Sequence, residues 1–454
     1  MNSMRQPQPQ SGFIMLTVLI MAFILSSLGM IGAEVLIANA RFSQYETRSA
    51  SALNVAEAGI NYYLWHMSHN AADFTDGGAT PATAPYGPYV HNYYDAAGKF
   101  LGTYTLYITP PVNGSTVITV KSIGQVPNFS GTRTILAQLG QPSFANYALL
   151  TGSEVWFGPG ESSNGAVHSN VGVHFDGVNN GPVTSASATY KPTPGFGGDG
   201  LVHNGVWGNG GPTSQWQYPV PAIDFSKVTA DYSKCIAQAQ SAGIYLARTT
   251  QKGYYLKLKP DGTIDEYIVK NETSSGFSTT TSSPIATLAA PTNGVIYVQD
   301  NVWVEGINFP GKINILSGRL PDNPATNTAV NIVGNLTYAA KDGSAVVGLI
   351  AQSDVRVAVY APNTIEIDAA LLSQKGHVWF PNFGGVKTNL TFYGSIDSFD
   401  YWTWSWVNGS GTVTSGYGTN TNTFDTHLTY GPPPCYPTTG TFAILNWREQ
   451  LYSP

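Results

Sequence analysis

Charged side chains are scarce here, at 11% of 454 residues, and the 21 Lys and Arg are outnumbered by 27 Asp and Glu. No basic cluster forms anywhere along the chain, so the electrostatic footprint that a phosphate backbone demands is missing and nucleic acid is not an expected partner. Cysteine is nearly absent. Cys235 and Cys435 stand too far apart for a zinc knuckle or a redox pair, so neither a metal site nor a cofactor is expected. In an exported chain the two could close a loop of roughly 200 residues as a disulfide, or remain as two buried thiols, and spacing alone does not decide. What is plentiful is Gly, Asn, Ser and Thr, with aromatics at 12%, a mixture suited to tightly turned β structure. The length exceeds one average domain and favours two or three units.

Charge is missing altogether from Ser11 to Ala33, and the run from Gly12 to Leu25 is almost wholly apolar. At about 1.5 Å per residue such a segment covers roughly 30 Å, the thickness of a bilayer's hydrocarbon core. Residues 13–33 are therefore expected to cross a membrane once. Helix-favouring sequence continues beyond Glu34, with Phe42, Tyr45, Ser49, Ala52, Ala56, Ile60, Tyr63 and Met67 at steps of three and four. No proline interrupts, so one helix is expected over residues 13–70.

These residues resemble the N-terminus of type IV prepilins, and among them the minor pilins with a PilX-like N-terminal domain. The resemblance rests on a short polar leader with one basic residue, Arg5, then Gly12-Phe13, the apolar helix, and the segment Ala52-Leu53-Asn54-Val55-Ala56-Glu57-Ala58-Gly59-Ile60. It implies a leader at 1–12, cleavage after Gly12 by a prepilin peptidase, and N-methylation of Phe13. Most members carry Glu as the fifth mature residue, where its carboxylate pairs with a neighbouring subunit's amine. Thr17 stands there instead, which points to a minor or tip subunit rather than a major one. The partners implied are the peptidase, membrane lipid and other pilin or pseudopilin subunits. The implied location is a single-pass membrane protein whose C-terminal domain lies outside the cytoplasmic membrane, on a pilus or at the cell surface.

After a Gly-, Pro- and Ala-rich loop at about 70–97, strand-like runs at 102–109, 116–124 and 132–139 are separated by turn chemistry, giving a small antiparallel head over 71–140. Residues 141–454 carry short β-prone runs punctuated by Gly, Asn and Asp, which fits the coils of a parallel β-helix, with a β-sandwich as the alternative. A helix from Val228 to Ala242 and a hairpin around Pro260-Asp261-Gly262 form an apparent insertion at about 221–285. Residues Phe442 to Leu451 are expected to cap the solenoid's open end. The fold class is thus mainly β with one long N-terminal helix.

Candidates for chemistry are His168, His174 and His203, and Asp354, Glu366 and Asp368, because glycan-cleaving enzymes need paired acids and bases. Asp at solenoid corners more often stabilises turns, and a strand His is more often simply satisfied, so a structural or adhesive chain is expected rather than an enzyme. Trp207, Trp216, Trp303, Trp379, Trp402, Trp404 and Trp406 could stack on sugars or form protein contacts. Strand alternation would point Trp402, Trp404 and Trp406 to one face, making them candidate binding aromatics for surface glycans or for host or solid surfaces, unless that face is core. The function expected is a minor pilin or pseudopilin displaying a β-rich domain. The alternative is a membrane-anchored, carbohydrate-binding or carbohydrate-active β-helix protein outside any filament.

Overall fold

The computed structural model describes residues 11–112, 114–440 and 442–450. Most of the expected leader, with Arg5, and Leu451 lie outside the described residues. The chain forms two compact units, one reaching to Thr109 and adding Thr119–Gln138 and the chain from Ile444, the other made of Pro110–Ile118 and Leu139–Ala443.

In the first unit the uninterrupted apolar periodicity produces one helix, α1 (Ser11–His69). An antiparallel sheet follows: β1 (Tyr86–Tyr94), β2 (Phe100–Thr109), β3 (Val117–Gln125) and β4 (Arg133–Gly140). Along β2 and β3 burial alternates strictly, as one buried sheet face requires. β1 falls inside the segment expected as loop. It is an edge strand, which tolerates the Pro88 that hides it in the sequence. A second correction concerns the C-terminus: Ala443–Gln450 is a strand that completes this sheet beside β4 and does not cap the solenoid. Arg133 fixes it by pairing with Glu449 while also reaching Ser49 of α1, and Asn446 donates to Gln138 at 2.7 Å.

The second unit is a parallel β-helix, and its coils do not stack in chain order. One face is built from ten partners in register: Ile244, Ile296, Ile315, Leu349, Leu371, Ile396, Leu149, Val167, Val183 and Trp216. The chain therefore enters in the middle at Leu149 and winds to one end at Trp216. It then crosses by α2 (Ser226–Ala242) to the far end at Ile244, and winds back until Ile396 meets Leu149. The segment expected as an insertion is this crossover together with the first coil of the far end. Gly253–Leu258 forms a hairpin with Thr263–Thr273 but also pairs in parallel with Asn301–Phe309, as a rung of the solenoid.

Two residues beyond the aliphatic ladder runs a second one of hydroxyls, with Ser317, Ser373, Ser398, Thr151, Ser169 and Ser185 all fully buried. Each hydroxyl donates to a corner carbonyl, for example Thr151 to Asp400 at 2.7 Å and Ser169 to Ser153 at 2.7 Å. The corners thereby satisfy acceptors that burial would otherwise strand, at a gain of about 1 kcal/mol per bond.

This face is covered on its outer side too. α2 packs Tyr232 and Cys235 inward, and the proline-rich strap at 431–437 crosses it, taking a hydrogen bond from Asn314 at Pro434 O (2.8 Å). A disulfide between Cys235 and Cys435, with Cα atoms 6.0 Å apart, ties the crossover helix to the strap. Under this cover lies Asp397, fully buried between Leu372 and Leu150 in the stack, with its Oδ2 accepting from the Tyr436 hydroxyl at 2.7 Å.

Burial pushes the Asp397 carboxyl up to about 8, against the hydrogen bonds from Tyr436 and Ser395 that pull it down. Its unfolded value is about 3.9, so the folded state holds the extra proton, and this contribution is complete below about pH 4 and lost as pH rises towards 8. Asp397→Asn stays neutral and keeps an acceptor for Tyr436. The wild type is expected to lose stability relative to this variant across pH 4 to 8, by on the order of 5 kcal/mol at most. Thermal unfolding of both proteins over that range checks it, and parallel pH profiles would refute it.

Candidate functional site

α1 is divided by its surroundings. From Ser49 onward one stripe is buried against the sheet: Ala52, Val55, Ala56, Ile60, Tyr63 and Met67, all at 3% exposure or less. Val55 was missed by the sequence periodicity, and Phe42 and Tyr45, assigned to the stripe, are mostly exposed, Tyr45 touching Phe129 edge-on at 5.3 Å. The docking line is made of small residues for a steric reason. A Cβ on Gly59 would collide with Ser122 Oγ and the Tyr104 ring, and a Cβ on Gly124 would collide with the α1 backbone at Ala52 and Ala56. The helix backbone thus comes close to the sheet at Ala52 and Ala56, with Gly59 against Ser122 and Tyr104 and Glu57 turned outward.

Residues 13–42 have no such partner. Phe13 is 72% exposed, and the apolar side chains through Ile37 are exposed on every side of the helix. The helix is long and apolar enough to cross a membrane. Its hydroxyls already have acceptors within it: Thr17 donates to Phe13 O at 2.8 Å, and Ser26 and Ser27 donate to Phe23 O at 2.9 and 2.8 Å. Thr17 is therefore satisfied in an apolar surrounding without a second chain, which a carboxylate at that position would not be. Gly12 and Phe13 lie in the first turn of α1.

The histidine and carboxylate candidates do not converge on one site. His168 is buried with both ring nitrogens engaged, by Thr184 at 2.9 Å and Asn170 at 3.1 Å, and burial pulls its pKa down. His174 and His203 do come together, on the two faces of Trp207 at 3.8 and 3.6 Å, each also paired with an Asp. Glu366 and Asp368 meet at Lys341, and Asp354 holds His377. Among the described residues no three His, Cys, Asp or Glu side chains are placed to hold a metal ion.

Trp402, Trp404 and Trp406 do not share a strand face. The strand breaks at Trp404: Trp402–Thr403 pairs in parallel with Val378–Trp379, whereas Ser405–Val407 turns antiparallel to Val413–Phe424. Trp404 is core, its Nε1 donating to Asn422, and Trp402 packs towards Phe157 at 6.0 Å. Trp406 stays half-exposed and meets Trp379 and Tyr401. Sequence reasoning missed His377, Asp400 and Tyr401. Their signal is positional: counted from the ladder residues Ala351, Ser373 and Ser398, Asp354, His377 and Tyr401 come three or four residues later, at one corner of three successive coils.

No protein-family model matches the chain, and no curated protein matches it at a significant level. Among solved structures it is similar to the competence-associated pilin ComZ from Thermus thermophilus, at 14% identity, covering 90% of this chain and 98% of that one with a TM-score of 0.31. An overlap that low assigns neither fold nor function.

The docking geometry makes a direct test. Gly124→Val forces a branched side chain into the α1 backbone and should cost the first unit about 3 kcal/mol. Gly32→Ala, whose Cβ meets nothing within 4 Å, should leave stability unchanged. Thermal unfolding and protease susceptibility of α1 report the difference, and equal behaviour of the two variants would contradict the close-approach assignment.

Proposed function

We propose that this chain is a membrane-anchored, pilin-like minor subunit that enters a pilus or pseudopilus through α1 and displays its β-helix outside. The observation that carries this reading is the division of α1: one half docks on its own sheet along a buried stripe, while residues 13–33 present an apolar surface that the described chain leaves open. Lipid and the helices of other subunits are its natural covers, first one and then the other. Prepilin peptidase is the processing partner, acting after Gly12.

Thr17 favours a minor or tip position, since its self-satisfied hydroxyl supplies no charge to hold a neighbouring subunit's amine. The size of the solenoid supports the same placement, because a head this large is hard to repeat along a densely packed filament. The role is structural and adhesive, not catalytic, with surface glycans or solid surfaces as contacts. The scattered, mutually paired His and Asp groups favour that reading over an enzyme.

Mass spectrometry of the mature N-terminus after co-expression with a prepilin peptidase tests the proposal. The expected product begins at N-methylated Phe13, and Gly12→Val should abolish its formation. An intact leader, or cleavage elsewhere, would sink the assignment and leave residues 13–33 as a plain anchor.

A further inference from the structure

The two runs of coils, 149–217 and 244–398, are joined by backbone pairing on one face at Ile396–Leu149, Asp397–Leu150 and Ser398–Thr151. On the adjacent face the join is incomplete. Trp402–Thr403 ends its stack and Val155–Phe157 begins a separate three-stranded sheet with Val173–Phe175 and Val206–Trp207. The corner leading into this face carries the polar groups that the mechanism of anchoring does not use.

There Asp354 Oδ1 accepts from His377 N at 2.8 Å and faces Nδ1 at 3.0 Å, while His377 Nε2 faces Asp400 Oδ2 at 3.2 Å. One imidazole between two carboxylates leaves the corner acidic, and Asp400 is 44% exposed. Beside it Trp379, Tyr401 and Trp406 meet edge-to-face, at 6.1 to 6.3 Å and 70 to 89°. All three side chains are half-exposed, and the His377 ring lies against Tyr401 at 4.2 Å. Trp379 Nε1 is buried without a hydrogen-bond partner. Phe196, from the other run of coils, closes against Tyr401 at 5.9 Å.

We infer that this corner is a binding surface for uncharged oligosaccharides, with pyranose C–H faces stacking on Tyr401 and Trp406 and ring hydroxyls donating to Asp354 and Asp400. Half-exposed aromatic rings next to carboxylate oxygens that can accept further hydrogen bonds suit a hydroxyl-rich, amphipathic ring, whereas a uronic-acid polymer would be repelled by the two carboxylates. The inference concerns the solenoid alone and stands or falls separately from N-terminal processing.

The test is a titration of the full chain, in a zwitterionic detergent lacking sugar headgroups, with cellohexaose, chitohexaose and an oligogalacturonate, followed by tryptophan fluorescence. Saturable binding of at least one neutral probe is expected, at least tenfold weaker in Tyr401→Ala and in Asp400→Asn and unchanged in Asp261→Asn at the turn of the Gly253–Thr273 hairpin. If Tyr401→Ala lowers the unfolding temperature, Asp400→Asn decides. Absence of saturable binding by both neutral probes, affinity unaffected by Asp400→Asn, or equal binding of the oligogalacturonate would each overturn the inference.

Discussion

The stacking of one aliphatic position on the next, coil after coil, is the constraint on which the large unit depends. Nine such positions, closed at one end by Trp216, run through the solenoid in register, and the central contact, Ile396 on Leu149, joins residues far apart in the chain. Neither run of coils can bury its inner end without the other, so the crossover through α2 is a requirement of the packing. Cover on the outer side by α2 and the strap makes these strands buried on both faces. That is why they read as continuous apolar runs such as Val346–Ala351, and why charge is so sparse in the whole chain. Several of the charges that remain are paired, as Arg319 is with Asp300 and Lys341 with Asp368.

A different constraint shapes the small unit. There the helix backbone lies so close to β3 that only glycine fits at position 124, and only glycine fits on the helix at 59. Close approach lets a short stripe of α1 hold the helix firmly, and the remainder is free to be covered by something else. Residues 49–67 are the docking element, and residues 13–33 form an exposed apolar stretch long enough to cross a membrane.

How much of this was legible follows from how local each signal is. α1 could be read from its periodicity, β2 to β4 from alternation and turn residues, and the parallel coils from short apolar runs between Gly, Asn and Asp, because all of these are set within a few residues. The order of the coils could not be read, since Ile396 and Leu149 carry no mark of each other. The hydrophobic-x-Ser/Thr triplet at 149, 167, 183, 315, 371 and 396 was available as a repeat, but unequal spacing concealed it. Gln450's strand was mistaken for a cap because its partner, β4, lies some three hundred residues earlier. Trp402, Trp404 and Trp406 misled for the opposite reason: local alternation was taken for a strand, and the chain turns a corner there.

That corner is also where the regularity of the solenoid gives way. On the first face backbone pairing carries the stack across the join, but on the second face it stops, and Trp402 against Phe157 stands in for the missing hydrogen bonds. Where a repeat is complete, each position is dictated by its neighbours above and below, leaving little freedom for polar or aromatic groups. Where it is broken, side chains are released from that demand. The concentration of Asp354, His377, Asp400, Tyr401 and Trp406 beside the join, in a chain otherwise poor in charge, follows from this release. The proposed glycan contact thus falls at a corner where the ladder does not dictate the residue.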